Sequence, residues 1–161
     1  MLYNASVESS LNTNEVQVER LITYNPTDAV GIGRLMPYLD ERLSEEPMDS
    51  KLLQAIISSP YHEQLVARID GIIVGAATMN LLLGPAVGRM GYLEDFVVDG
   101  SIQSRGVGAS IWNEMVDWCR EWGVDLSFTS NPNRSMAHRF YLKRGAEIRP
   151  TTSFIVPIKT S

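Results

Sequence analysis

The stretch Gln103-Ser104-Arg105-Gly106-Val107-Gly108-Ala109 is the part of this chain best suited to chemistry. It follows an apolar, strand-like run and opens a helical pattern. Glycines at 106 and 108 let the backbone approach a ligand closely, and a helix start presents N–H groups with no internal partner and a partial positive charge. Together they make a site for an anion such as a pyrophosphate, and Arg105 can add a direct charge contact. The spacing separates this loop from two other phosphate loops. No Gly-Lys-Ser/Thr follows at the distance a P-loop needs, and Ile111 stands where a dinucleotide loop has its third glycine. A second concentration of chemistry is Glu94-Asp95, set in the apolar run GYLEDFVV. A carboxylate in an apolar strand is costly unless paired, which favours a site role over chance, with a structural salt bridge as the alternative for either acid. Alternation along a strand sends these two side chains to opposite faces, Glu94 sharing a face with Tyr92 and Phe96.

The elements that must position these groups are legible from periodicity and punctuation. Residues 1–14 are polar and without period, and read as a loose arm; residues 15–161 read as a single domain. VQVERLITY alternates as a strand. A helix over about 28–43 starts at Asn25 or Thr27 and is kinked or split by Pro37, and a second helix, over about 49–58, starts at Asp49 or Ser50. Asp70-Gly71 between EQLVARI and IIVGAATMNLL predicts a hairpin, and RMGYLEDFVV is the next strand. Val107, Ile111, Met115, Trp118 and Trp122 recur at three- and four-residue steps, giving a helix over about 105–122 that Gly123 closes. A strand VDLSFTS, a helix over about 134–143 and a last strand near 147–157 complete the chain. Antiparallel pairing at the hairpin and strand–helix alternation later predict a mixed, twisted sheet.

Composition narrows the function classes. A net charge of −5 disfavours a nucleic-acid platform, and the one cysteine, Cys119, with two histidines, His62 and His138, disfavours a metal enzyme. Cys119, Trp118 and Trp122 fit a helix core face, and both histidines fit the surface. No run is long and apolar enough for a membrane span, and the start of the chain lacks a signal-peptide pattern, so a cytoplasmic location is expected.

The motif Gln-x-x-Gly-x-Gly at 103–108, preceded by GYLEDFVVDGSI and followed by SNPNRSMAHRFYLKRGAE, resembles the GNAT superfamily of acyl-CoA N-acyltransferases across about 90–157. The resemblance implies an α/β fold with a central mixed sheet of six or seven strands flanked by about four helices. It implies acetyl-CoA as co-substrate with no metal, and transfer of the acetyl group to a primary amine of a small molecule or peptide. A homodimer is the matching expectation for assembly, with neither nucleic acid nor membrane as partner. Phe96, Val97 and Val98 would then meet the pantetheine arm through a bulged strand. Gln103, Ser104, Arg105, Gly106, Val107, Gly108 and Ala109 would surround the pyrophosphate, and Asn133 or Asn131 would contact the coenzyme. Tyr141 matches the tyrosine that protonates the departing thiolate, and Glu94, with Asp95 as the alternative, is the candidate base. The crowded cations Arg134, Arg139, Lys143 and Arg144 suit a solvated face or the coenzyme 3′-phosphate. Two departures are Ala146, where the family usually has an aromatic residue, and Gly100, where proline is frequent and without which the connection is less rigid. A non-catalytic coenzyme A-binding regulator is the alternative from a different class; it needs neither Glu94 nor Tyr141.

Overall fold

A computed structural model describes residues 15–102 and 105–158. Two compact units are distinguished, one up to Phe128 and one from Thr129 onward. In the first unit a strand, β1 (Gln17–Arg20), leads to α1 (Pro26–Gly33), α2 (Met36–Leu39) and α3 (Ser50–Ser58). Three long strands follow, β2 (His62–Ile69), β3 (Ile72–Gly84) and β4 (Gly88–Val98), then α4 (Val107–Trp122) and the two-residue β5 (Leu126–Ser127). The second unit carries α5 (Ser135–Leu142).

Local sequence accounts for most of these boundaries. Asn25 caps α1 by accepting from the Thr27 N–H at 2.9 Å, and Asp49 caps α3 by accepting from the Leu52 N–H at 2.8 Å. Pro37 does split the first helix: α1 stops at Gly33, and α2 restarts with that proline in its first turn. Asp70 and Gly71 both take positive φ, 51° and 77°, as the tight turn between β2 and β3 requires.

The sheet runs in the order β1-β2-β3-β4-β5, antiparallel through β4 and parallel between β4 and β5. It is mixed as expected but has five strands among the described residues rather than six or seven. The segment near 147–157 forms no strand: Pro150 and Pro157 cannot donate to a ladder, and Phe154, Ile155 and Val156 stand in solvent. The strand expected in VDLSFTS shrinks to Leu126–Ser127.

Two layers cover the sheet of the first unit. On one face Val66, Ile73, Ala76 and Val97 form a core with Leu21, Ala29, Ile32, Leu35 and Leu53 from the segment carrying α1 to α3. On the other, α4 buries Val107, Ile111, Met115, Trp118 and Cys119, the face its spacing predicted, except that Trp122 is only partly covered. Burying each large apolar side chain here stabilises the fold by about 1.5–3 kcal/mol. The result is a firm frame around the middle of β4.

Candidate active site

The register of β3 against β4 changes at one point. Asp95 lies opposite Thr78 and Leu93 lies opposite Met79, so Glu94 is an extra residue, a β-bulge. The bulge corrects the alternation expected from sequence. Asp95 shares the face of its partner Thr78, and the Glu94 carboxylate reaches Asn80, two residues on along that same face of β3. The two acids therefore stand together rather than on opposite faces. Tyr92, opposite Asn80, stays with them, whereas Phe96, opposite Ala77, falls on the other face. Regular pairing offered no hint of this, because the extra residue is defined only by the partner strand.

A buried polar strip supports the acids. Asn80 donates to Glu94 Oε1 at 2.8 Å. Thr78 donates its hydroxyl proton to Gln64 Oε1 at 3.1 Å, and Gln64 Nε2 donates to the carbonyls of Ala77 and Leu65. Gln64, Thr78 and Asn80 are all buried, so each polar atom must be partnered, and the strip holds Glu94 in one orientation. Asn80 is a site residue that sequence reasoning missed; its only signal was an amide interrupting an apolar run. Asp95 keeps an exposed face, yet the protein around it removes enough water to raise its carboxyl above the usual range, and the neighbouring Glu94 charge adds to the rise. A raised carboxylate is a better proton acceptor, so Asp95 is as well suited as Glu94 to take a proton from an amine.

The edge of β4 opens at the same level. Its parallel pairing with β5 is confined to Gly91 opposite Leu126 and Tyr92 opposite Ser127. Past Tyr92 the described β4–β5 ladder ends, so β4 and the edge strand β5 part beside the bulge. The Asp99 N–H donates to Val74 O on β3, and alternation then turns the backbone of Phe96 and Val98 to the side away from β3. These are backbone groups that can meet an extended ligand arm.

Beyond β4 lies the glycine loop. Gln103 and Ser104 lie outside the described residues. Arg105 is exposed, and Gly106 takes a left-handed φ of 78°, a conformation costly for any residue with a Cβ. Gly106 is also the residue at the N-terminus of α4, which has no side-chain cap, unlike α1 and α3. Val107 packs into the core, while Gly108 and Ala109 remain partly accessible in the first turn. That turn can hold an anion on its N–H groups.

The second unit carries the remaining candidates. Asn131 Oδ1 accepts from the Asn133 N–H at 2.9 Å, a local turn that occupies Asn131 and leaves the Asn133 amide exposed. Tyr141 lies edge-on to Phe140, with ring centroids 5.7 Å apart. Burial raises its phenol above the ordinary value, only partly opposed by the Arg134 charge, so it stays protonated at neutral pH. Of the crowded cations, Arg144 lies flat over the Phe140 ring at 3.5 Å and donates to the Phe140 carbonyl.

The sequence profile of the Acetyltransferase (GNAT) family matches residues 32–146. The chain belongs to the GNAT acetyltransferase family. This GNAT protein is 33% identical over 109 residues to the L-amino acid N-acetyltransferase AaaT of Escherichia coli K12, a match covering 65% of each chain. Among solved structures, its fold is similar to the aminoglycoside acetyltransferase meta-AAC0020 from an uncultured soil metagenomic sample, with a TM-score of 0.79, 21% identity, and 89% and 97% of the two chains covered. It is also similar to AAC(6')-Iy in complex with a bisubstrate analogue of coenzyme A, with a TM-score of 0.71, 18% identity, and 90% and 99% covered. The GNAT fold is thus shared with N-acetyltransferases, and no helix among the described residues is long and apolar enough to cross a membrane.

Proposed function

We propose that this protein transfers an acetyl group from acetyl-CoA directly to a primary amine. The observation that carries the reading is the bulge at Glu94, which gathers two carboxylates beside the place where β4 and β5 part. Acetyl-CoA fits what surrounds it: a helix start on a left-handed glycine for the pyrophosphate, and strand backbone facing away from β3 at Phe96 and Val98 for the pantetheine arm. Coenzyme A supplies the activated thioester. In the proposed step the amine nitrogen forms a bond to the thioester carbon and the carbon–sulfur bond breaks. Glu94 or Asp95 takes the amine proton, backbone N–H from the Phe96 region steadies the oxyanion, and the Tyr141 phenol protonates the leaving thiolate.

The paired carboxylates and the acidic segment from Asp40 to Asp49 (DERLSEEPMD) suit an acceptor that carries positive charge. The relative acting on L-amino acids and the neighbours acting on aminoglycosides define the two acceptor groups to screen first. The test is thermal stability with acetyl-CoA, longer acyl-CoAs, ATP and NAD, followed by an amine screen read by thiol release. A ligand at about 100 times its dissociation constant stabilises the fold by about 2.7 kcal/mol. A shift with acetyl-CoA and thiol release with an amine support the proposal. A shift without release from any amine would favour a coenzyme A-binding regulator, and no shift with any coenzyme A ester would overturn both. Within the active enzyme, Glu94→Gln and Asp95→Asn together are expected to lower kcat by about 10²–10⁴-fold.

A further inference from the structure

Sequence comparison with the family leaves Gly100 unexplained, because proline is frequent there and glycine implies a looser connection. The structure supplies a different restraint. A Cβ at Gly100 would stand 2.9 Å from both Cδ1 and Cε1 of Tyr38, so the Tyr38 ring occupies the space a side chain would need. Gly100 is not among the residues with positive φ, so what a side chain here would meet is the Tyr38 ring, which would have to shift to admit it, and not an unusual backbone. Asp99 to Ile102 form a turn, with the Ile102 N–H donating to Asp99 O at 3.0 Å, and Gly100 sits at the second position, where proline is favoured.

The Asp99 side chain ties this turn to Arg34 at the end of α1. It is 3% exposed and accepts from the Ser101 N–H at 2.9 Å, the Ser101 hydroxyl at 2.6 Å and Arg34 Nη1 at 2.9 Å. Arg34 also donates to Ile73 O at 2.7 Å, which anchors the end of α1 to β3. Burial works to raise the Asp99 carboxyl, but the bonds from Ser101, Arg34 and Tyr38 outweigh it and hold the carboxyl below its usual range. The turn is thus fixed from three directions, immediately before the chain enters the glycine loop.

We propose that Asp99 and Tyr38 are positioning residues for the acyl-CoA pyrophosphate, holding the 99–102 turn in the role a proline at position 100 would otherwise fill. The inference rests on the reading of the glycine loop as the acetyl-CoA site. It also links α1 and α2 to the 99–102 turn through Arg34 and Tyr38.

The experiment is a calorimetric titration of acetyl-CoA into the wild type, Asp99→Asn, Tyr38→Ala, Gly100→Pro, and the double variant Tyr38→Ala/Gly100→Pro, with kcat measured at saturating acetyl-CoA. Asp99→Asn, Tyr38→Ala and Gly100→Pro are each expected to weaken acetyl-CoA about tenfold or more, while kcat at saturation changes less than about twofold. In the double variant the proline finds the space that the ring has left, and affinity returns to within about threefold of wild type. Tyr38 is half-exposed, so its alanine variant keeps the fold even if Asp99→Asn does not. Folded variants that bind as the wild type does, or a double variant no better than Tyr38→Ala, would overturn the inference while leaving the acetyl-CoA site intact. A wild type that does not bind acetyl-CoA would overturn the site reading and this inference with it.

Discussion

Helices α1 and α3 begin on side chains that satisfy their first N–H groups, Asn25 and Asp49, whereas α4 begins on Gly106 with no side-chain cap. Along β4 a similar contrast holds, because its pairing with β3 runs its whole length while its pairing with β5 is confined to Gly91 and Tyr92. Helices α2 and α5 also lack side-chain caps, so what sets α4 apart is the left-handed Gly106 at its start, a backbone on which first-turn N–H groups can meet an anion.

That contrast is broken or sharpened by substitution at the helix starts. The largest effect is expected at the open one. Gly106→Val forces a β-branched residue to the left-handed φ of 78° and disturbs the first turn of α4, so acetyl-CoA affinity should fall by about 100-fold or more in a calorimetric titration. The strain should cost only about 1–2 kcal/mol of stability, leaving a folded protein. A closed helix start should show the reverse. Asp49→Ala should lower unfolding free energy by about 0.5–2 kcal/mol in denaturant titration, with acetyl-CoA affinity unchanged. Asn25→Ala should behave alike, because its cap is an exposed side-chain bond of the same kind. If Asp49→Ala weakened acetyl-CoA as much as Gly106→Val, the division between folding ends and binding ends would fail.

The smallest effect concerns the acids at the bulge. A carboxyl whose pKa is raised by folding contributes stability at low pH that is lost as pH rises through the folded value. Asp95 is such a group, so Asp95→Asn should raise the melting temperature slightly at neutral pH, and the gain should vanish as the pH falls through the carboxylate range. Asp99 has the opposite sign: its contribution is present above the unfolded carboxyl value and is lost as pH falls through its lowered value. Melting curves of both asparagine variants across acid pH check the two signs together.

Local chemistry made much of this molecule readable from sequence. Asn25, Asp49 and Gly123 mark helix ends, Asp70-Gly71 makes its hairpin, and the apolar spacing of α4 marks the face it buries. What escaped depended on partners far along the chain. Alternation in LEDFVV assigns Glu94 and Asp95 to opposite faces, and only the register against Thr78 and Met79 inserts the bulge that brings them together. The importance of Asn80 emerges only once Glu94 is beside it, and Gly100 looks loose until Tyr38 is seen lying against it. The strand expected near 147–157 had suitable residue types, but forming a strand needs an edge to pair with as well as β propensity.

If the start of α4 holds the pyrophosphate of acetyl-CoA, acetyl-pantetheine, which keeps the thioester and arm but lacks the pyrophosphate and the nucleotide beyond it, should bind far more weakly. In parallel calorimetric titrations acetyl-CoA is expected to bind about 100-fold or more tightly than acetyl-pantetheine, and Gly106→Val to remove most of the difference. Equal affinity for the two ligands in the wild type would contradict that placement of the pyrophosphate.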